Sequence, residues 1–139
     1  MPKPSTSELW TLHFQLVMEV MEEMTPQVRS LQLETKEFFL LAALDTHPSP
    51  TELARALKLP KPSITFMVKR MEAAGYLRRV AEPEDARRSR LTLTAAGRRA
   101  MEEARAILEG IFGERLARLT APQRAELARL LQCMLGEAC

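Results

Sequence analysis

Three observations predict a mainly α-helical chain with one small β-hairpin. Leu and Ala are abundant in the 139 residues, and apolar residues recur at helical spacing along both ends of the chain. Helix-start signals stand at Ser49-Pro50-Thr51-Glu52 and at Thr120-Ala121-Pro122-Gln123. Tyr76 to Val80 and Arg90 to Leu93 alternate as two short strands, and Glu82-Pro83-Glu84-Asp85 supplies turn chemistry between them. The length suits a single domain, residues 1–139, able to bury roughly two-thirds of its unfolded surface.

The elements follow in order. A first helix is expected from about Ser7, with Glu8 in its first turn and Leu9, Leu12, Leu16, Val20 and Met24 on one stripe. Pro26 ends or kinks it. Thr35 is a candidate cap for a second helix carrying Phe38, Phe39, Leu41 and Leu44, which stops before Pro48. Ser49 caps a third helix, with Glu52 placed to reach back in a capping box and Leu53, Ala54 and Leu57 inward. Leu57 to Pro60 is a turn. A fourth helix runs from Lys61 to Ala74 with Ile64, Met67, Val68 and Met71 inward, and Gly75 stops it. After the hairpin, Thr94 caps a fifth helix, weakened by Gly110 and Gly113, and Thr120 caps a sixth carrying Leu127, Leu130, Leu131, Met134 and Leu135.

Charge is distributed unevenly over this plan. The net charge is only +2, yet Arg55 to Arg99 holds twelve Lys/Arg against four acids. That stretch carries about +8 and the remainder about −6. Helix, turn, helix and basic hairpin together form a winged helix-turn-helix, an arrangement shaped to meet duplex DNA.

On the fourth helix the face opposite the apolar stripe carries Ser63, Thr65, Phe66, Lys69 and Arg70. Hydroxyls and cations suit base edges and phosphates, and an apolar side chain can touch a thymine methyl. Phe66 either makes that methyl contact or folds back onto Tyr76 or the hairpin. Arg87 and Arg88 near the hairpin tip suit the negative potential of a narrow minor groove, with Asp85 organising the turn; the alternative is that Arg87 pairs with Asp85 or Glu84 and only holds the loop.

These residues resemble the MarR (multiple-antibiotic-resistance regulator) family of winged helix-turn-helix transcription factors. The matching motifs are Thr51-x-Leu53-Ala54-x-x-Leu57, the helix PSITFMVKRMEAAGYLRR, and Asp85-x-Arg87 followed by Leu91-Thr92-Leu93-Thr94-x-x-Gly97. The resemblance implies a homodimeric repressor of a pseudo-palindromic operator, released by a small, often aromatic or phenolic effector or by thiol oxidation. It implies that Ser63, Thr65, Phe66, Lys69 and Arg70 occupy recognition-helix positions, that Arg87 is the wing arginine and that Asp85 is its structural partner. Two departures stand out. Pro60 replaces a Ser or Thr cap, and Phe66 stands where polar residues are common.

Residues 35–94 are thus the expected DNA-binding region, and 7–29 and 95–137 the dimerisation helices. The first and sixth helices are too apolar for a surface on so small a domain: burial against a partner accounts for Leu9, Leu12, Leu127, Leu131 and Leu135, the alternative being that they form this subunit's own core. Trp10, His13, Phe14 and Phe38 are candidates for an effector pocket between the first, second and fifth helices; aromatic core packing accounts for them equally well.

Other classes find little support. His13 and His47, the only histidines, form no triad-like or ligand-like pattern, so neither an enzyme nor a metal or other cofactor site is expected. Two cysteines are too few for a disulfide scaffold, so a cytoplasmic protein is expected, with Cys133 buried beneath the last apolar stripe and Cys139 mobile at the terminus. No apolar run reaches membrane-spanning length. The alternatives to ligand control are a thiol-redox regulator of the same fold and a winged helix used only for protein interaction.

Overall fold

The computed structural model describes residues 2–85 and 88–139. Among the described residues six helices and one antiparallel hairpin follow in the expected order: α1 (Thr6–Arg29), α2 (Thr35–Ala43), α3 (Pro50–Leu57), α4 (Lys61–Ala73), β1 (Leu77–Ala81), β2 (Ser89–Leu93), α5 (Ala95–Leu116) and α6 (Ala121–Met134).

α1 starts slightly earlier than expected. Ser5 is its cap: Ser5 Oγ accepts from the Glu8 N–H at 3.1 Å, and Glu8 accepts from the Ser5 N–H at 3.2 Å. Pro26 neither ends the helix nor stops its packing; α1 continues to Arg29. The lost hydrogen bond costs about 3 kcal/mol. Val20, Met24 and Val28 are all buried on one stripe, each stabilising by about 1.5–3 kcal/mol, and that burial outweighs the cost.

Thr35 is not the cap of α2. Glu34 holds that position, and its N–H donates to Glu37 Oε1 at 2.7 Å. Thr35 Oγ1 instead meets Thr25 Oγ1 at 3.2 Å, joining α1 to α2. Ser49 caps α3 by accepting from the Glu52 N–H at 3.2 Å, but only this arm of the expected capping box forms. Lys58 then takes the left-handed conformation (φ 57°), and Leu59 N–H reaches back to Ala54 O, closing the turn.

β1 and β2 pair with Leu77 opposite Leu93 and Arg79 opposite Leu91. Leu77 and Leu91 point into the core, and Leu91 N–H donates to Pro48 O at 2.8 Å, stitching the segment before α3 to the hairpin. At the hairpin's base Thr94 N–H donates to Tyr76 O at 3.1 Å and Thr94 Oγ1 to Gly75 O at 2.6 Å. Thr94 Oγ1 also accepts from Gly97 N–H at 3.0 Å, capping α5. Gly97 is required by close approach, because a Cβ there would lie 1.8 Å from Tyr76 O. α5 passes uninterrupted through Gly110 and Gly113.

The core gathers Met24 and Val28 from α1, Leu40 and Leu41 from α2, Leu53 from α3, Ile64, Val68 and Met71 from α4, and Met101 and Ala104 from α5. α6 contributes no buried residue. Leu9, Leu12, Leu131, Met134 and Leu135 are exposed, and Leu127 is half-buried. The cysteines differ from expectation: Cys133 is only half-buried, and it is joined to Cys139 in a disulfide that folds the C-terminus back onto the end of α6. Among the described residues no helix is long and apolar enough to cross a membrane.

Candidate nucleic-acid interface

The amphipathic pattern of α4 fixes its orientation. Ile64, Met67, Val68 and Met71 are buried against α3 and the core, so the opposite face must meet solvent. Ser63, Phe66, Lys69 and Arg70 are exposed there and Thr65 is half-buried. Thr65 Oγ1 donates to Lys61 O at 3.0 Å, which leaves its lone pairs to accept from a ligand. Pro60 caps the helix without a side-chain acceptor, as its ring dictates.

Phe66 is 69 % exposed. It stands clear of the core, which decides against its folding onto Tyr76. Tyr76 is anchored elsewhere: its hydroxyl donates to Leu31 O at 3.0 Å. Phe66 lies over shallow apolar ground formed by Lys61, Pro62 and Thr65 on one side and Leu59 and Met67 on the other.

The hairpin carries the second set of cations, and Arg79, Glu82, Arg88 and Ser89 line a groove with Pro48 to Glu52 at the start of α3. Glu82 N–H donates to Arg88 O and Arg88 N–H to Asp85 O, both at 3.0 Å, so Asp85 and Arg88 close the tip through their backbones. Arg88 Nε lies 4.0 Å from the Asp85 carboxylate, and the side chain is 82 % exposed. Arg78 and Arg90 are exposed on the strands. Arg79 is held by Glu72 at the end of α4, 3.0 Å from Nε to Oε1, which braces hairpin against helix. Arg87 lies outside the described residues.

Sequence reasoning misses two features. Arg70 is engaged: its Nε lies 2.9 Å from Oε2 of Glu37, whose side chain is almost wholly buried. An acid in the third position of a helix is ordinarily read as a capping residue, and nothing local marks it as the partner of a cation 33 residues on. The second is the Cys133–Cys139 disulfide, invisible because spacing alone does not reveal pairing.

The four aromatic and histidine candidates for an effector pocket are not gathered within one chain. Phe38 is buried in the core against Phe39, ring centroids 5.0 Å apart. Trp10, His13 and Phe14 cluster instead on the exposed first half of α1, Trp10 lying 5.9 Å from His13 and 6.2 Å from Phe14. Burial of Phe38 follows from its place on the inner stripe of α2. Among the described residues no group of three or more His, Cys, Asp or Glu is placed to hold a metal ion.

Known proteins share this architecture. A sequence profile of the MarR family matches residues 31–88. The HTH-type transcriptional repressor Rv2887 of Mycobacterium tuberculosis is 34% identical over 112 residues, covering 79% of this chain and 81% of the relative. The structure of the Mycobacterium tuberculosis MarR family protein Rv2887 in complex with DNA superposes with a TM-score of 0.73 at 30% identity, over 91% of this chain and 96% of that one. Its complex with p-aminosalicylic acid gives a TM-score of 0.73 at 32% identity, over 91% and 97%. Wild-type MarR from E. coli has the same fold, with a TM-score of 0.75 at 23% identity over 91% and 96%. With a relative this similar over most of its length, and with the helix-turn-helix and hairpin in the places just described, the chain belongs to the MarR family of winged helix-turn-helix transcription regulators.

Proposed function

We propose that this chain is a homodimeric repressor that binds a pseudo-palindromic operator and leaves it when a small aromatic acid binds. The observation that carries the reading is the solvent-facing side of α4, where Ser63, Phe66 and Lys69 are exposed beside the basic hairpin. In this arrangement α4 enters the major groove, with Ser63, Thr65 and Phe66 at base edges and Lys69 at the backbone. Arg88, and Arg87 beside it in sequence, approach the adjacent minor groove, and Asp85 shapes the tip. Residues 35–94 are the reader. Residues 7–29 and 95–137 pair two readers, which suits half-sites about 34 Å apart. The exposed stripe of Leu9, Leu12, Leu131 and Leu135 supports that pairing, since a monomer has no use for it.

The effector class comes from the relative solved with p-aminosalicylic and salicylic acids. Trp10, His13 and Phe14 contribute to such a site only where a second protomer closes over the exposed half of α1. The reading assigns the chain no catalytic chemistry and places it in the cytoplasm with its DNA.

The test is a selection of duplexes from a random-sequence pool, followed by titration with salicylate. An enriched inverted repeat, bound by a dimer and released by millimolar or lower salicylate, is the expected result. Enrichment of no duplex sinks the reading and favours a protein-interaction module. Release by oxidant or reductant, with salicylate inert, would move control to the Cys133–Cys139 pair, the one observation favouring a thiol switch.

A further inference from the structure

Among the described residues Glu37 is the one buried charged side chain, 2 % exposed. A carboxylate removed from water persists only when its oxygens are satisfied. Both are: Oε1 accepts from the Glu34 N–H at 2.7 Å, and Oε2 lies 2.9 Å from Arg70 Nε. Glu34 in turn accepts from Arg29 Nε at 3.3 Å, at the last turn of α1. A chain of polar interactions therefore runs from α1, through the first turn of α2, to the exposed face of α4.

Arg70 differs in this from its neighbour. Lys69 has no ion pair among the described residues, whereas Arg70 Nε stands 2.9 Å from a buried carboxylate that offsets its charge. A cation meant for a phosphate needs no such partner. A helix that must present Ser63 and Phe66 to base edges does need its rotation and pitch fixed, because direct readout depends on register. We infer that Glu37 and Arg70 are a positioning pair that sets α4 on α2 for base readout, and that Arg70 adds no phosphate contact. This rests on the DNA-binding reading above.

Salt dependence separates the two roles, since removing one bond to a phosphate lowers the salt slope by about one. The wild type, Arg70→Gln, Arg70→Lys, Glu37→Gln, the double Glu37→Gln/Arg70→Gln, and Lys69→Gln are compared on the duplex that the wild type selects and on a scrambled duplex. Helix content is checked by circular dichroism at the assay temperature. Arg70→Gln and Glu37→Gln are each expected to weaken the selected duplex by about tenfold or more, with the scrambled duplex little changed and no fall in slope. Arg70→Lys keeps the charge without the planar fork and behaves the same way. The double variant is no worse than the weaker single, because both remove one interaction. Lys69→Gln lowers the slope by about one on both duplexes.

A fall in slope by about one for Arg70→Gln, with equal losses on both duplexes, overturns the inference. So does wild-type binding by Arg70→Lys, unchanged binding by Glu37→Gln, or additive losses in the double variant. If the wild type selects no duplex at all, the DNA-binding reading falls and takes this inference with it; the other outcomes overturn the inference alone.

Discussion

The hairpin and the helices around it differ from α6 and the first half of α1 in one physical respect. α2, α3, α4, β1 and β2 close over side chains such as Leu53, Ile64, Val68, Leu77 and Leu91, all nearly inaccessible. α6 contributes no fully buried residue, and α1 between Leu9 and Met18 leaves a run of large apolar side chains in water. Both regions are equally regular and both helices are properly capped. Regularity therefore reports local sequence, while burial reports whether the structure is complete within one chain. The reader is complete and the terminal helices are not.

Four measurements break or sharpen that contrast. The largest effect belongs to Gly97→Ala. The added methyl would collide with Tyr76 O, and the joint between hairpin and α5 must open, so a loss of at least about 4 kcal/mol in urea unfolding is expected. A variant with wild-type stability would show that the joint relaxes easily. Next, Leu53→Ala in the closed region should cost about 2–5 kcal/mol, because it leaves a cavity. An effect near zero there would erase the distinction between the regions.

Leu12→Glu combined with Leu131→Glu tests the open region. Sedimentation should fall from a dimer to the 15.7 kDa single chain, with helix content retained and operator affinity lost. A double variant that still sediments as a dimer would place the interface elsewhere. The smallest effect comes from Arg115 of α5, which ties to α1 through Glu23 at 3.0 Å. The hydrogen bond from Arg115, helped by the charges of Arg115 and Arg118, holds the Glu23 carboxyl below its usual 4.5. A lowered acid stabilises the fold above about pH 4.5 and loses that contribution as pH falls through its native value. Melting temperatures of Glu23→Gln between about pH 3 and 6 should show a flatter acid branch than the wild type. Parallel branches would show that the pair contributes nothing to stability.

Much of this molecule is legible in its sequence, for reasons that are local. Ser49 with Pro50, Thr120 with Gln123, and Thr94 with Gly97 declare helix starts within four residues. The inward stripe of α4 follows from periodicity alone, and with it the outward side of Ser63, Phe66 and Lys69. What escapes is non-local. Glu37 and Arg70 meet because the fold brings the first turn of α2 within reach of one side chain on α4, and no spacing rule reports that. Phe38 reads equally as a pocket or a core residue, because an aromatic on a stripe looks the same in either place, and only the fold buries it. Pro26 reads as a breaker because the burial of three residues on its helix lies beyond any single-residue preference.

The joint at Gly97 has a mechanical consequence. Thr94 clamps the hairpin's base on both its N–H and its hydroxyl, and the missing Cβ lets α5 seat directly on Tyr76 O. Hairpin and α5 are therefore joined without slack and are expected to turn together as one lever. Its 22 residues span about 33 Å. Tilting such a rod by about 6° carries its end through about 3.4 Å, the rise of one base pair along a strand. A ligand wedged near the far end of α5 need not touch the DNA-facing residues at all: a few degrees there would put two readers out of step with the double helix.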